Sequence, residues 1–442
     1  MKSEVRSLPP QAPRLKISGT SLSGGRKPAL EGFNQELEVR KTGSYEVKRV
    51  GLLSFSASQL LKFSFLAFTV CCLLPTVFTG CAKKEDTIKI GVAGPMTGDQ
   101  AKMGMDLKNG VELAVSEWNE RGGVLGKKIE LLTEDDQHDP KLAVAVANKL
   151  ANSGAAGVVG HWNSSASIPA SEVYKEGGNI PMITPASTNP QLTERGFENV
   201  FRVCGRDDQQ GKLAAEFVIS SLKIKKVAII HDKTTYGQGL ADEFKKAIGS
   251  AADVVYYGVI IQGDKDFRAV LTSIKGKKPE LIYFGGIYPE AGLLVKQARE
   301  LGIKTPFMSG DGTIDKEFIK IASKENAEGT YLTFSPDPSN IATAKAFLDK
   351  YHAKYGEHGP YSIYAYDAAN ILLTGISKAG VTDGKRVSDE IHKLTYEGAL
   401  GAIQFDQKGD VLKAPYIVWI TKDGEFKEYW KPGEELAVKS MQ

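Results

Sequence analysis

From residue 87 to about residue 334 the sequence alternates short Val- and Ile-rich runs with longer stretches in which apolar residues recur every three or four positions. Strand, helix and strand in succession bury both faces of a sheet when the strands run parallel and the helices cover them, so the alternation predicts an α/β fold. The predicted strands are 88–92, 128–132, 157–159, 180–184, 227–230, 254–259, 281–284 and 329–333. The predicted helices are 106–121, 142–153, 209–222, 240–248, 266–274 and 289–301. With 442 residues and 42% hydrophobic content the chain can bury more than one core. Breaks near 204–208 and at the proline-rich SPDPS of 335–339 divide the series into two sets.

Ahead of this region, 63–80 is an uncharged, largely apolar run preceded by Lys48, Arg49 and Lys62 and ended by FTGC at Cys81. Upstream basic residues, small residues before a cysteine and the polar AKKED after it predict a lipoprotein signal peptide and lipobox over 47–81, with acylation at Cys81, rather than a transmembrane helix. The polar, aperiodic residues 1–46 read as an extension ahead of the true start, untranslated or without fixed structure. Val47 would be the initiator if its codon were GTG. Removing the 11 basic and 5 acidic residues up to Cys81 changes the formal charge from +3 to −3, which leaves no basic stripe for nucleic acid. Of the four cysteines, Cys71 and Cys72 leave with the signal peptide and Cys81 takes the lipid. Cys204 remains alone, without a disulfide partner, and reads as a buried small side chain rather than a nucleophile.

The stretch 160–190, GHWNSSASIPASEVYKEGGNIPMITPASTNP, sets hydroxyls at the ends of two successive strands. Ser164, Ser165 and Ser167 open a helix after the first, and the second delivers Ala186, Ser187 and Thr188 to the same edge. Free N–H groups at a helix start, the positive end of its dipole and nearby hydroxyls favour a carboxylate or phosphate. The competing reading has the serines acting only as caps. Further motifs are discounted: GVAGPMTG lacks the G-x-G-x-x-G spacing of a dinucleotide loop, and Asp135, Asp136, His138 and Asp139 occupy a strand-to-helix loop where capping is the ordinary role. No nucleophile and base stand at motif spacing, so neither catalysis nor a cofactor or metal is expected.

GHWNSSAS and MITPAST, with IKIGVAGPMTGD (88–99), EDDQHDPKLAVAVANKL (134–150), HDKTTYGQGLA (231–241), DFRAVL (266–271), IYFGGIYPEAG (282–292) and FDQKGD (405–410), carry a family resemblance over nearly all of the chain after Cys81. It resembles the leucine/isoleucine/valine-binding proteins of bacterial branched-chain amino acid ABC importers, the type I periplasmic substrate-binding proteins. The resemblance implies two lobes, each an open parallel sheet with helices on both faces, joined by three hinge crossings with ligand between them. Lobe 1 would be 82–206 plus 335–413 and lobe 2 would be 207–334 plus 414–442, with the third crossing near 413–415. It further implies a monomeric, periplasmic or cell-surface lipoprotein that captures branched-chain or similar apolar amino acids by hinge closure and hands them to ABC permease subunits.

A zwitterionic ligand needs donors for its carboxylate, acceptors for its ammonium and an apolar wall. By match to the family, Ser164 and Thr188 hold the carboxylate, the Ala186 carbonyl accepts from the ammonium, and Tyr236 closes from the second lobe. Asp311, in MSGDGTID, stands where relatives carry an acidic partner for the ammonium, one methylene shorter than the Glu found there. Met103 and Ile287 take positions where relatives often place aromatic rings, and Trp162 one where a smaller apolar residue is common. The two positions of a disulfide frequent in relatives are His138 and Asn163. The alternatives are a receptor for urea, amides or aromatic acids on the same scaffold, which Asp311 disfavours, and a nicotinamide-dependent dehydrogenase, disfavoured by the missing glycine spacing and the lipobox.

Overall fold

The computed structural model describes residues 86–433. The expected extension 1–46, the signal segment 47–81 with Cys81, and the last residues of the chain lie outside the described residues. In the first half the chain forms β1 (Ile88–Gly94), α1 (Ala101–Glu120), β2 (Ile129–Asp135), α2 (Pro140–Asn152), β3 (Val158–Gly160), α3 (Ser164–Glu176), β4 (Met182–Thr184) and β5 (Val200–Arg202). These strands are parallel, in the order β2-β1-β3-β4-β5. α4 (Asp207–Glu216), prolonged by a π-helical turn Phe217–Ser221, then opens a second series. It comprises β6 (Lys226–His231), α5 (Thr235–Ile248), β7 (Asp253–Val259), α6 (Arg268–Lys277), β8 (Leu281–Gly285), α7 (Tyr288–Glu300), β9 (Phe307–Ser309), α8 (Lys316–Ala322) and β10 (Tyr331–Phe334).

The second sheet repeats the first, with β7-β6-β8-β9-β10 parallel in the same relative order. After β10 the chain returns to the first sheet through α9 (Lys345–Tyr355) and α10 (Ser362–Ala379), and α10 packs on α1, β3 and β4. α11 (Gly384–His392) and the hairpin of β11 (Tyr396–Gly398) and β12 (Gly401–Ile403) follow, before the chain crosses back as β13 (Ile417–Lys422) and β14 (Glu425–Trp430). β13 pairs antiparallel with β10 and β14 antiparallel with β13, so the second sheet carries an antiparallel edge beside its parallel strands. The reason is local: Asp423 and Gly424, both at positive φ, form a tight turn, and a hairpin can join only antiparallel strands. β14 alternates exposed and sheltered residues, as an edge strand with one wet face does.

Two helices start about five residues earlier than periodicity predicts. α5 begins at Thr235 because the Thr234 hydroxyl accepts from Gly237 N at 2.9 Å, a cap hidden in sequence by the glycines of TYGQG. α1 begins at Ala101, and the polar residues of its first turn obscure its periodicity.

Candidate functional site

In open parallel sheets of this order the strand ends diverge between the first and third strands in chain sequence, here β1/β3 and β6/β8, and the crevice outside their carboxyl ends is where ligands sit. Elements of the two sheets meet across that crevice through several bonds. Asn189 Nδ2 donates to Thr235 O (2.8 Å), Lys265 Nζ pairs with Asp99 (2.9 Å), the Tyr288 hydroxyl donates to Asp99 O, and Gln262 Nε2 lies 2.7 Å from His138 Nδ1. The cleft is closed.

On the first-sheet side, the two hydroxyl clusters expected at one edge are joined there. Ser164 is the first residue of α3, and Asn163 precedes it in extended backbone without capping it through its side chain. Ser167 Oγ and Ser187 Oγ are 2.6 Å apart, Thr184 Oγ1 donates to His161 O (2.7 Å), and Asn189 N donates to Ser164 Oγ (3.3 Å). Ser167 and Ser187 thus tie the loops to each other rather than capping the helix, while Ser164, Ala186 and Thr188 are buried beside them. Beneath this edge lies Arg202, at the end of β5 and fully buried, which pairs with Asp410 and donates to the carbonyls of Ser187 and Asn189 at 3.0 Å each. Arg202 therefore fixes the loop that carries Thr188. Sequence reading passed over it; Asp410 lies in the quoted FDQKGD, but nothing in the sequence shows that the two residues meet across more than 200 positions.

The second-sheet side is acidic. Asp311, 3% exposed, accepts from Gln210 Nε2 (2.7 Å) and the Tyr236 hydroxyl (2.8 Å) on one oxygen and from the Tyr361 hydroxyl on the other. Gly310 and Gly312 permit this convergence, because a Cβ on either would come within 2.8 Å of Gln210 or Tyr236 atoms. Burial raises the Asp311 pKa, and the three donated bonds oppose that rise by favouring the anion. Asp207, the first residue of α4 and fully buried, was not foreseen as a site residue. Its carboxylate faces the Thr188 hydroxyl without closing a well-aligned bond to it. Burial first, then the charge of Asp311, pushes its pKa well up. A buried carboxylate that feels the charge of another favours a cation nearby, or a proton on one of the two. Gln210 and Tyr361 were missed as well; α4 presents Asp207 and Gln210 three residues apart on one face, a spacing visible in sequence once the helix start is known.

Trp162 is buried against Tyr361, with the rings edge to face and centroids 5.6 Å apart. Met103 on α1 and Ile287 at the start of α7 are buried as well, but neither belongs to the hydrogen-bonded cluster around Asp311; each lies close in sequence to the Asp99–Tyr288 bond at the rim. The acidic loop divides among structural duties. Asp135 accepts from Met96 N, Asp136 pairs with buried His161 at 2.6 Å, and Asp139 caps α2. His138 and Asn163, matched by resemblance to a disulfide pair, are bridged by Gln100, with Asn163 Nδ2 donating to Gln100 Oε1 at 2.9 Å. Cys204 is buried with no disulfide, and burial pushes its thiol far above the ordinary range. Among the described residues no helix is long and apolar enough to cross a membrane.

Comparison with known proteins agrees with this architecture. Residues 87–425 match the periplasmic binding protein family, and the chain belongs to that family. It is 43% identical over 336 residues to an "Amino acid binding protein" of Pseudomonas aeruginosa, covering 75% of this chain and 89% of that one. It is 38% identical over 348 residues to the leucine-, isoleucine-, valine-, threonine- and alanine-binding protein of the same organism, covering 77% and 92%. Among solved structures it is similar to the branched-chain amino acid transporter substrate-binding protein LivJ of Streptococcus pneumoniae in complex with isoleucine, with TM-score 0.72, 32% identity, and 77% and 98% of the two chains covered.

Proposed function

We propose that the protein is a lipid-anchored, extracytoplasmic solute-binding protein that closes two lobes on a branched-chain or similarly apolar amino acid and delivers it to an ABC permease. The observation that carries this reading is the polarity of the cleft, with hydroxyls and a helix start on one side and two buried carboxylates on the other. In this reading Ser164 and Thr188 hold the ligand carboxylate. The Ala186 carbonyl, Asp311 and the newly recognised Asp207 surround the ammonium, and Tyr236 holds Asp311 in place. Trp162, Met103 and Ile287 form the side-chain wall. The lobes are 82–206 plus 335–413 and 207–334 plus 414–442, the hinge lies at the three crossings between them, and Cys81 carries the lipid. Ligand contacts on both lobes favour the closed form that the permease recognises. The Pseudomonas relative named for five amino acids and the isoleucine complex support this ligand class.

The test is a thermal-shift screen of the soluble protein over the twenty amino acids, with 4-methylpentanoate and small amides alongside. An amino acid at 100 times its dissociation constant should stabilise the fold by about 2.7 kcal/mol, and the deaminated acid should give no shift. If 4-methylpentanoate stabilises as well as leucine does, the ammonium is not being read and a receptor for acids takes the place of this assignment.

A further inference from the structure

We infer that the indole N–H of Trp162 donates a hydrogen bond to the ligand's side chain, so that the site selects a β-hydroxy amino acid of threonine's shape over the isosteric valine. The inference rests on the amino-acid reading above and adds to it a polar contact within the wall taken as apolar. Trp162 is 5% exposed, and its Nε1 has no hydrogen-bond acceptor. A buried indole N–H normally finds one, and the chain obeys this elsewhere, since Trp118 Nε1 donates to Asn370 Oδ1 (2.9 Å) and Trp419 Nε1 to Ser335 O (3.0 Å).

The location of Trp162 narrows what the acceptor is. Its carbonyl accepts from Ser187 Oγ at 3.0 Å, the next residues open α3, and its ring abuts Tyr361, whose hydroxyl reaches Asp311. Trp162 thus ties the hydroxyl edge, through its backbone, to the acidic edge, through its ring. The carboxylate end already has Ser164, Thr188 and the α3 start, and the ammonium end can only donate. With those donors serving the carboxylate, we assign the acceptor for the indole N–H to the side chain. A hydroxyl on Cβ supplies it at the cost of no extra volume, because threonine and valine have the same shape. A site whose buried donor is served by one ligand and left unpaired by its isostere discriminates far more strongly than an apolar wall does.

Calorimetric titration of the full protein with threonine, valine and alanine tests this, and Trp162→Phe, which keeps an aromatic ring and removes the N–H, is the matching variant. Wild type should bind threonine at least about tenfold more tightly than valine, and Trp162→Phe should bring the two within about threefold while still binding both. The wild-type ratio needs no variant, so the test survives poor folding of Trp162→Phe. Wild type binding valine as tightly as threonine, or a threonine preference unchanged in Trp162→Phe, overturns the inference and leaves the amino-acid reading standing. Failure of wild type to bind any of the three, with 4-methylpentanoate bound instead, overturns both.

Discussion

The two sheets share one strand order, yet the edges they present to the cleft differ in charge and in how they are held. The first edge offers hydroxyls and the start of α3, and a buried ion pair, Arg202 with Asp410, anchors its loops. The second offers Asp311 and Asp207, and its support is a set of hydroxyl and amide donors from Tyr236, Tyr361 and Gln210. Topology therefore brings both edges to one crevice, while the loops at the strand ends decide the charge that each edge offers. On the proposed reading, a ligand with unlike ends completes both edges only when the cleft is shut, which would couple recognition to closure. Tyr361 links the two edges, since it precedes α10 on the first sheet yet holds an oxygen of Asp311 beside the second.

The largest expected effect comes from removing the support of the first edge. Asp410→Asn keeps the size of the side chain but leaves Arg202, fully buried, without its counter-charge. Breaking one side of a buried pair costs about 3 to 5 kcal/mol, which denaturant unfolding would read as a lower midpoint. A loss under about 1 kcal/mol would show that the remaining bonds of Arg202 to Ser187, Asn189 and Thr193 hold the loop by themselves. The first edge would then be supported in the same way as the second.

Next is Asp311→Asn, which acts on the acidic edge. The ammonium loses a desolvated counter-charge, a change on the order of 2 to 5 kcal/mol, so binding of leucine should weaken at least about thirtyfold by calorimetry. The ratio of leucine to 4-methylpentanoate should narrow at the same time. Unchanged discrimination in Asp311→Asn would move the ammonium to Asp207 and leave Asp311 as a support for Tyr236 and Tyr361.

Much of this architecture was legible in the sequence, for identifiable reasons. Parallel strands buried on both faces read as apolar runs, and those of β6 and β8 appear within a residue or two of their expected bounds. The antiparallel pair β13 and β14 was not assigned, because a half-wet edge strand such as EFKEYW carries little apolar signal. The Ser164 and Thr188 edge could be read because consecutive strand ends bring near neighbours in sequence together. Arg202 with Asp410 and Asp311 with Tyr361 could not, because each meeting depends on the chain returning from the second sheet to the first. Asp207 looked like one more charged residue at a break until α4 buried it.

The bond that joins the two edges at the rim has a pH signature. Burial, opposed by Asp136 and Asp139, lowers the His138 pKa to about 4, so the neutral ring accepts from Gln262 across the cleft. An unfolded chain binds a proton to this histidine near pH 6.5, which the native state resists. Between those values the unfolded state holds more protons, so the contribution of His138 is fully present above pH 6.5 and is lost as pH falls toward 4, by about 3 kcal/mol in all. Asp207 and Asp311, whose pKa values are raised, act in the opposite sense and favour the fold as they protonate. The informative quantity is accordingly the difference between wild type and His138→Gln across a pH series of thermal melts. That difference should change most between pH 6.5 and 4, and a constant offset would assign His138 a packing role alone.

The smallest effect concerns the wall between the edges, where neither charge nor hydroxyl clusters decide the outcome. Trp162→Ala removes a buried ring beside Tyr361 while leaving Ser164, Thr188 and Asp311 in place. Among ligands without a side-chain hydroxyl only the apolar contacts of the wall discriminate, by about 1 to 3 kcal/mol per methylene, so the expected result is a changed order among leucine, valine and phenylalanine, with larger side chains gaining. Met103→Ala and Ile287→Ala should move the same order by less, because both lie outside the cluster around Asp311. Competition calorimetry on the three ligands separates the possibilities. A uniform weakening that preserves the order would make Trp162 a brace for Tyr361, and through it for Asp311, so that the wall would belong to the acidic edge rather than stand as a third surface.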